Sequence, residues 1–258
     1  SAFSEKLSAS DLVSLLNDYL TEMTDILMEN NGTLDKYIGD AIVAFYGAPL
    51  DLKNHELMAC RTAIKMQERL AVLRQQWQEE GDRWPEIVHH MQNRIGINTG
   101  KMVTGNMGSE SRMNYTMMGD TVNLAARLES SAKQYGVYIQ LSDSTYEAVK
   151  DQVVVRALDF VRVMGKTEPV KVFELISEKG QEPEPYKKIL PIFHEGLENY
   201  FKQDWDKAIE AFKAADELEE MFPGRKTNPS RIYIPRCQNF KANPPGDDWD
   251  GVWTQTSK

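Results

Sequence analysis

The 258-residue sequence predicts an α+β fold, a sheet with helices on one face, followed by a helical appendage. Three observations predict it. Strand-like and helix-like periods are interleaved over residues 1–178, so both element types belong to one core. Several strand candidates are separated only by a few turn-forming residues and pair as hairpins rather than through helical crossovers. Beyond the polar, Pro- and Glu-rich stretch SEKGQEPEPYKK, only helical periodicity remains.

Each element follows from local chemistry. Ser8-Ala9-Ser10-Asp11 supplies a capping hydroxyl and a first-turn acid, and Leu12, Leu15, Leu16, Tyr19, Met23, Ile26 and Leu27 continue at helical spacing until Asn30-Asn31-Gly32. Strands are predicted at Thr33 to Ile38 and Ala41 to Tyr46, with Gly39 and Asp40 forming a tight hairpin and Pro49 closing the second strand. A long helix follows from Asn54 to Glu80, stopped by Gly81. Arg94 to Thr99 reads as a strand, Gly100 to Gly108 as a turn and short strand, and Tyr115 to Met118 as another short strand. Gly119-Asp120-Thr121 opens a helix carrying Val122, Leu124, Ala125, Leu128 and Ala132. Val137 to Leu141 is a strand, Ser142 caps a short helix, and Val153 to Val163 pairs with Val170 to Ile176 around Gly165 to Pro169. The sequence divides into residues 1–178 and a C-terminal extension, 179–258. There, Ile189 to Glu220 forms two amphipathic helices around Gln203-Asp204, and Tyr200, Ala208, Phe212 and Pro223 resemble one tetratricopeptide unit. Such a pair cannot bury its own apolar face and must pack on the neighbouring domain or bind a partner. The tail NPPGDDWDGVW reads as an extended strap.

Composition removes several function classes. Hydrophobic residues at 41% and charged residues at 27% are ordinary for a globular chain. A net charge of −9 argues against nucleic-acid binding, which needs a basic surface. Cys60 and Cys237 are too few for a disulfide framework and fit a reducing, cytoplasmic setting. No run of about 18 apolar residues exists, so no membrane contact is expected from this stretch. Any anchor of a parent protein would lie upstream. The chain opens on a helix approach without a signal peptide, and it is expected to be a piece of something longer.

Familiar motifs are absent. Gly100 to Gly105 has Walker A glycine spacing, but Asn106-Met107 replaces the required Lys and hydroxyl. His55, His89, His90 and His194 show no metal-ligand spacing and read as solvated. What remains is two polar pairs. Lys36 and Asp40 sit on and beside a hairpin tip, either as a surface ion pair or as half of a site holding a base and a metal. Asn123 and Arg127 share one helical face, suited to an anionic ligand with hydroxyls, or equally to a cap and a surface arginine paired with Glu129.

The segments GTLDKYIGDAIVAFYGAP and RIGINTGKMVTGNMGSESRMNYTMMGDTVNLAARLE, with GKTEPVKVFE, resemble the catalytic domain of class III nucleotidyl cyclases, especially the bacterial adenylyl cyclases. The resemblance extends from Phe3 to about Leu175, and WDGVW also looks like an extension found on some bacterial members. It implies a ferredoxin-like palm and a head-to-tail homodimer with composite active sites at the interface. It implies conversion of ATP to cyclic AMP and pyrophosphate with two Mg²⁺ or Mn²⁺ ions held by two aspartates. Asp40 matches the second metal-binding aspartate, and Lys36 and Thr116 match the pair that reads the base. Asn123 matches the residue orienting the ribose and Arg127 the one stabilising the transition state. Lys36 and Asp40 would then serve different active sites of one dimer.

Two departures accompany the match. The family's other metal aspartate lies on a strand ahead of the segment that matches Ser1 to Glu5, and that strand is expected upstream of Ser1 in the parent protein. Met164 stands where many relatives place a polyphosphate-contacting lysine; Lys166 or Arg162 could supply that charge, and Lys166 could equally be a hairpin surface lysine. A non-catalytic nucleotide-binding or dimerising regulatory module, or a guanylyl cyclase, are the alternatives.

Overall fold

The computed structural model describes residues 5–161, 170–246 and 248–252. In chain order the elements are α1 (Ala9–Glu29), β1 (Thr33–Ile38), β2 (Ala41–Phe45), α2 (His55–Glu79), a 3-10 turn (Gly81–Arg83) and α3 (Glu86–His89). There follow β3 (Ile95–Ile97), β4 (Val103–Ser109), β5 (Arg112–Met118), α4 (Asp120–Tyr135), β6 (Ile139–Ser142) and α5 (Asp143–Val149). The chain continues with β7 (Val153–Val161), β8 (Val170–Glu178), α6 (Glu184–Phe201), α7 (Trp205–Leu218) and α8 (Pro229–Ala242). Two compact units result, one of residues 1–93 and 99–124, the other of residues 94–98 and 125–258.

The first unit begins with the capped helix that the sequence predicts. The Asp11 amide donates to Ser8 Oγ at 3.1 Å, and Leu15, Tyr19, Met23 and Leu27 form one buried stripe. On α2, Leu57, Cys60, Met66, Leu70, Leu73 and Trp77 are buried. Arg69 grips Glu22 of α1 through two bonds of 2.7 and 2.6 Å. Strands β1 and β2 form an antiparallel hairpin in which Ile38 faces Ala41, leaving Gly39-Asp40 as the loop. Gly39 has φ +62°, which favours glycine although the space around it is open. Leu34 faces Ala44 and Lys36 faces Val43, so Asp35 is the extra residue of a bulge. Strands β4 and β5 form a second hairpin, longer than the short strands expected, in which Thr116 faces Gly105.

The second unit holds a four-stranded sheet ordered β3-β6-β8-β7. Only β3 and β6 are parallel, and α4 provides part of their crossover. Gly96 fixes the approach of β3 to α4. A Cβ there would lie 2.2 Å from the Ala125 carbonyl oxygen and 2.4 Å from the Glu129 amide nitrogen. Gly96→Ala is therefore expected to force strand and helix apart and destabilise the protein by about 1–3 kcal/mol. Scanning calorimetry checks this; an unchanged melting temperature would show that the contact gives without strain.

The sequence predicts that all strands join one sheet. The described residues instead form three hydrogen-bonded sheets, β1-β2, β4-β5 and the four-stranded one. Among the described residues each ladder closes within its own group of strands.

The C-terminal helices pack on one another and on β7. Ala208, Ala211 and Ala215 keep α7 thin, and at Gly196 a Cβ would meet the Phe212 ring at 2.7 Å. Their core contains Phe193, Leu197, Tyr200, Phe212, Tyr233 and Cys237, and Ala157 of β7 packs against it. Helix α6 starts at Glu184, inside the stretch that reads as a boundary, because Pro185 occupies its first turn, where a missing amide is harmless. Helix α8 has no counterpart among the predicted elements. The tail residue Trp249 stacks edge-on to Tyr200 at 5.1 Å, as a strap would.

Two buried ionic groups fasten these helices to the strands. Arg156 of β7, fully buried, donates to Glu174 of β8 at 2.7 Å and to Glu219, the C-cap of α7, at 2.8 and 3.1 Å. Arg225 donates to Glu219 at 2.8 Å and to the Gly136 carbonyl, just beyond α4, at 3.1 Å. Asp159 of β7 accepts from Tyr135 of α4 at 2.7 Å and from Arg236 of α8 at 2.6 Å. Tyr233 donates to the Leu158 carbonyl at 2.7 Å. His194 is not the solvated residue expected. It lies against Phe193 with Nε2 buried, and burial, then the Arg156 charge, lower its pKa.

Candidate functional site

The two hairpins of the first unit bring together residues 80 positions apart. Lys36 Nζ donates to Thr116 Oγ1 at 3.3 Å, uniting the pair read from sequence as the base-recognising residues. Thr116 is buried on β5, and its hydroxyl donates to Asp35 Oδ2 at 2.7 Å. Asp35 Oδ1 lies 3.5 Å from Lys36 Nζ. The Asp35 side chain is 2% exposed and that of Lys36 48%, so the carboxylate is the buried foundation and the ammonium the accessible end. Sequence reasoning missed Asp35. In a regular strand it would point away from the face that carries Lys36, and the bulge that redirects it leaves no compositional mark.

Asp40 sits exposed in the β1-β2 loop, with Tyr19 of α1 near enough to sense its charge. Burial first, and then that negative charge, raise the Tyr19 pKa, against a hydrogen bond from Asn93. Gly100 lets the loop before β4 pass close to α4: a Cβ there would lie 3.0 Å from Thr121 Oγ1, and Thr121 donates to the Lys101 carbonyl at 2.9 Å. At Gly119, φ +147° turns the chain from β5 into α4, and the Val122 and Asn123 amides donate to the Gly119 carbonyl.

On α4, Leu124 and Leu128 are buried while Asn123 and Arg127 are exposed. The alternating burial turns the polar pair to solvent along one face. Glu129, the acid considered as a partner for Arg127, receives Arg94 Nε at 3.1 Å. Lys166, Met164 and Arg162 lie outside the described residues. A groove of about 280 Å3 between α1 and α2, lined by Asp18, Glu22, Trp77 and Glu80, contains none of the residues read as functional.

The donor set bears on the implied metal. Among the described residues no three His, Cys, Asp or Glu side chains converge on a metal-sized site, so there is no complete cage. Asp40 is a hard oxygen donor open to solvent. Mg²⁺ is commonly held by one or two carboxylates together with substrate phosphates, and a lone exposed aspartate fits that mode. Among the described residues no helix is long and apolar enough to cross a membrane.

Comparison with known proteins extends these observations along the chain. Residues 1–177 match the adenylate and guanylate cyclase catalytic domain. The terminal-differentiation-specific adenylate cyclase of Dictyostelium discoideum is 35% identical over 243 residues, covering 92% of this chain and 11% of that protein. That match is longer than residues 1–177 and so takes in part of the C-terminal helices. Adenylate cyclase 1 of Rhizobium meliloti (strain 1021) is 32% identical over 173 residues, 67% of this chain and 25% of that protein. The chain thus spans between a tenth and a quarter of the length of these curated relatives. Among solved structures, the adenylyl cyclase CyaB from P. aeruginosa is 35% identical with a TM-score of 0.60, over 70% of this chain and 90% of that one. A guanylyl cyclase crystal structure scores almost the same, 34% identical with a TM-score of 0.59, over 69% of this chain and 86% of that one. With a mixed α/β fold of the same kind and a family match across more than half its length, the chain belongs to the adenylate and guanylate cyclase catalytic domain family.

Proposed function

We propose that this chain is an adenylyl cyclase catalytic domain, converting ATP to 3′,5′-cyclic AMP and pyrophosphate. The observation that carries the reading is the contact between Lys36 and Thr116. Lysine presents only donors, which suits the acceptor N1 of adenine, and a threonine hydroxyl can accept from the 6-amino group. Guanine reverses both groups, and each buried mismatch costs roughly 1–3 kcal/mol. Among the solved structures similarity favours neither nucleotide, since an adenylyl and a guanylyl cyclase match almost equally well. The polar pair supports adenine.

In this reading Asn123 holds the ribose, and Arg127 meets the charge that grows on the phosphoryl oxygens with a planar fork of donors. The 3′-oxygen bonds to the α-phosphorus as the bond to the β-phosphate oxygen breaks in line, and the hydroxyl proton passes to water or substrate. Asp40 would hold divalent magnesium or manganese, which when bound lowers the pKa of the hydroxyl and braces the triphosphate. Lys166 would add a contact to the polyphosphate. Residues 1–178 form the catalytic part, a ferredoxin-like palm, and α6 and α7 form the tetratricopeptide-like pair of an extension over 179–258.

The reading includes a homodimer with shared sites. Ile38, Val103, Met113 and Met118 expose large apolar side chains on the two hairpins, an unusual density that supports burial against a second copy. Complementation tests this directly. With the residues upstream of Ser1 retained, Lys36→Ala and Asp40→Ala are each expected to lose cyclic AMP production from Mn²⁺-ATP. Mixing them should restore a fraction of it, because one of the two composite sites regains both residues. Inactive wild-type protein that still dimerises and binds ATP would instead favour a regulatory module.

A further inference from the structure

We propose that Asp35 sets the base preference of this site by fixing the hydrogen-bonding polarity of Thr116. The inference rests on the adenylyl reading above and deepens it. A threonine hydroxyl has one proton and two lone pairs, and its rotor is free to present either to a ligand. In this site the proton is committed. The hydroxyl donates to Asp35 Oδ2 at 2.7 Å, and an ionised carboxylate can only accept. One lone pair receives Lys36 Nζ at 3.3 Å. What Thr116 can offer a ligand is therefore a single lone pair. A purine carrying an amino donor at position 6 meets it, and a purine carrying a carbonyl there faces acceptor against acceptor.

The backbone is arranged for this contact. Neighbouring strand residues point to opposite faces, so Asp35 and Lys36 could not both reach Thr116 from a regular strand. The bulge leaves Asp35 without a cross-strand partner and allows both side chains onto the same hydroxyl. Asp35 is also nearly inaccessible, with Oδ1 making no hydrogen bond among the described residues and lying 3.5 Å from the Lys36 ammonium. A buried carboxylate with an unused oxygen beside a lysine holds that lysine's charge in place. Asp35 is thus a positioning residue, setting base preference through Thr116 without touching the base.

The test compares kcat/KM for ATP and for GTP in the wild type, Asp35→Asn, Thr116→Val and the double variant. Asparagine keeps the size of the side chain but can donate to the Thr116 oxygen, which frees the hydroxyl proton to face a carbonyl. The ATP-to-GTP ratio is expected to fall about tenfold in Asp35→Asn, a change of one decade in relative transition-state binding. In the Thr116→Val background the same substitution should leave the ratio unchanged. Asp35→Ala, which frees the rotor without adding a donor, should also lower the ratio and stands in if the asparagine variant fails to fold. Equal loss on both nucleotides would overturn the proposal, because a structural residue lowers both together. An undiminished effect in the Thr116→Val background would overturn it as well. A wild type that prefers GTP, or cyclises neither nucleotide, would instead overturn the adenylyl reading itself.

Discussion

Arg127→Ala is expected to lower kcat for cyclic AMP formation by about 10²–10³-fold, the range seen when one preorganised donor to a developing oxyanion is removed. KM for ATP should move little, because the interaction strengthens only as charge accumulates on the phosphoryl oxygens. Stability should be nearly unaffected. Arg127 is exposed on α4, between the buried Leu124 and Leu128 that anchor the helix, and exposed substitutions usually stay within about 0.5 kcal/mol. Arg127→Lys should recover only part of the rate, since an ammonium keeps the charge but loses the planar fork. Steady-state kinetics together with a melting curve decide the matter. A kcat within about threefold of wild type would remove Arg127 from the chemistry.

Glu219→Ala is expected to give the largest loss of stability. The substitution leaves Arg156 wholly buried with Glu174 as its one remaining carboxylate partner among the described residues and strips Arg225 of its bond to Glu219. Breaking a buried ion pair by removing one member destabilises by roughly 3–5 kcal/mol. For a chain of this size that lowers the melting temperature on the order of 10 °C. The effect should also depend on pH. Burial pushes the Glu219 carboxyl up, but the Arg156 and Arg225 guanidiniums outweigh it and hold the group below its ordinary value. A carboxyl with a depressed folded pKa stabilises fully above its unfolded pKa, about 4.3, and loses that contribution as pH falls through the folded value. The gap in melting temperature between wild type and Glu219→Ala should therefore be wide near pH 7 and narrow below about pH 4. A gap that stays constant across this range would mean that the variant acts through packing, not through charge.

Much of the fold is legible in the sequence because periodicity and punctuation are local. The cap at Ser8, the left-handed Gly39 and the start of α4 after Gly119 all depend on residues within a turn of one another. The proximity of Lys36 and Thr116 is not local. It follows from resemblance to a family, and the structure places the two side chains within hydrogen-bonding distance. Three features escape for physical reasons. Asp35 depends on a bulge, which is a misalignment between two strands and belongs to neither strand's own pattern. The division of the strands into separate ladders depends on which strand edges meet in space, which no strand's own pattern records. Helix α8 is hidden by Pro235 in its interior, although Asn228-Pro229, a cap followed by proline at the first turn, is a helix-start signal.

The ionic fastening of the C-terminal helices has a consequence for how this protein can be divided. The polar stretch after β8 looks like a seam, and a chain ended at Glu178 would keep every residue assigned to the chemistry. It would also keep Arg156 and Asp159, whose partners Glu219 and Arg236 lie beyond the cut. Strand β7 would then present unmatched charge where helices had covered it, and Tyr135, at the end of the helix bearing Asn123 and Arg127, would share its carboxylate with water. Composition suggests a detachable module; the electrostatics make these helices the lid on a box that stays closed only when all its corners are present.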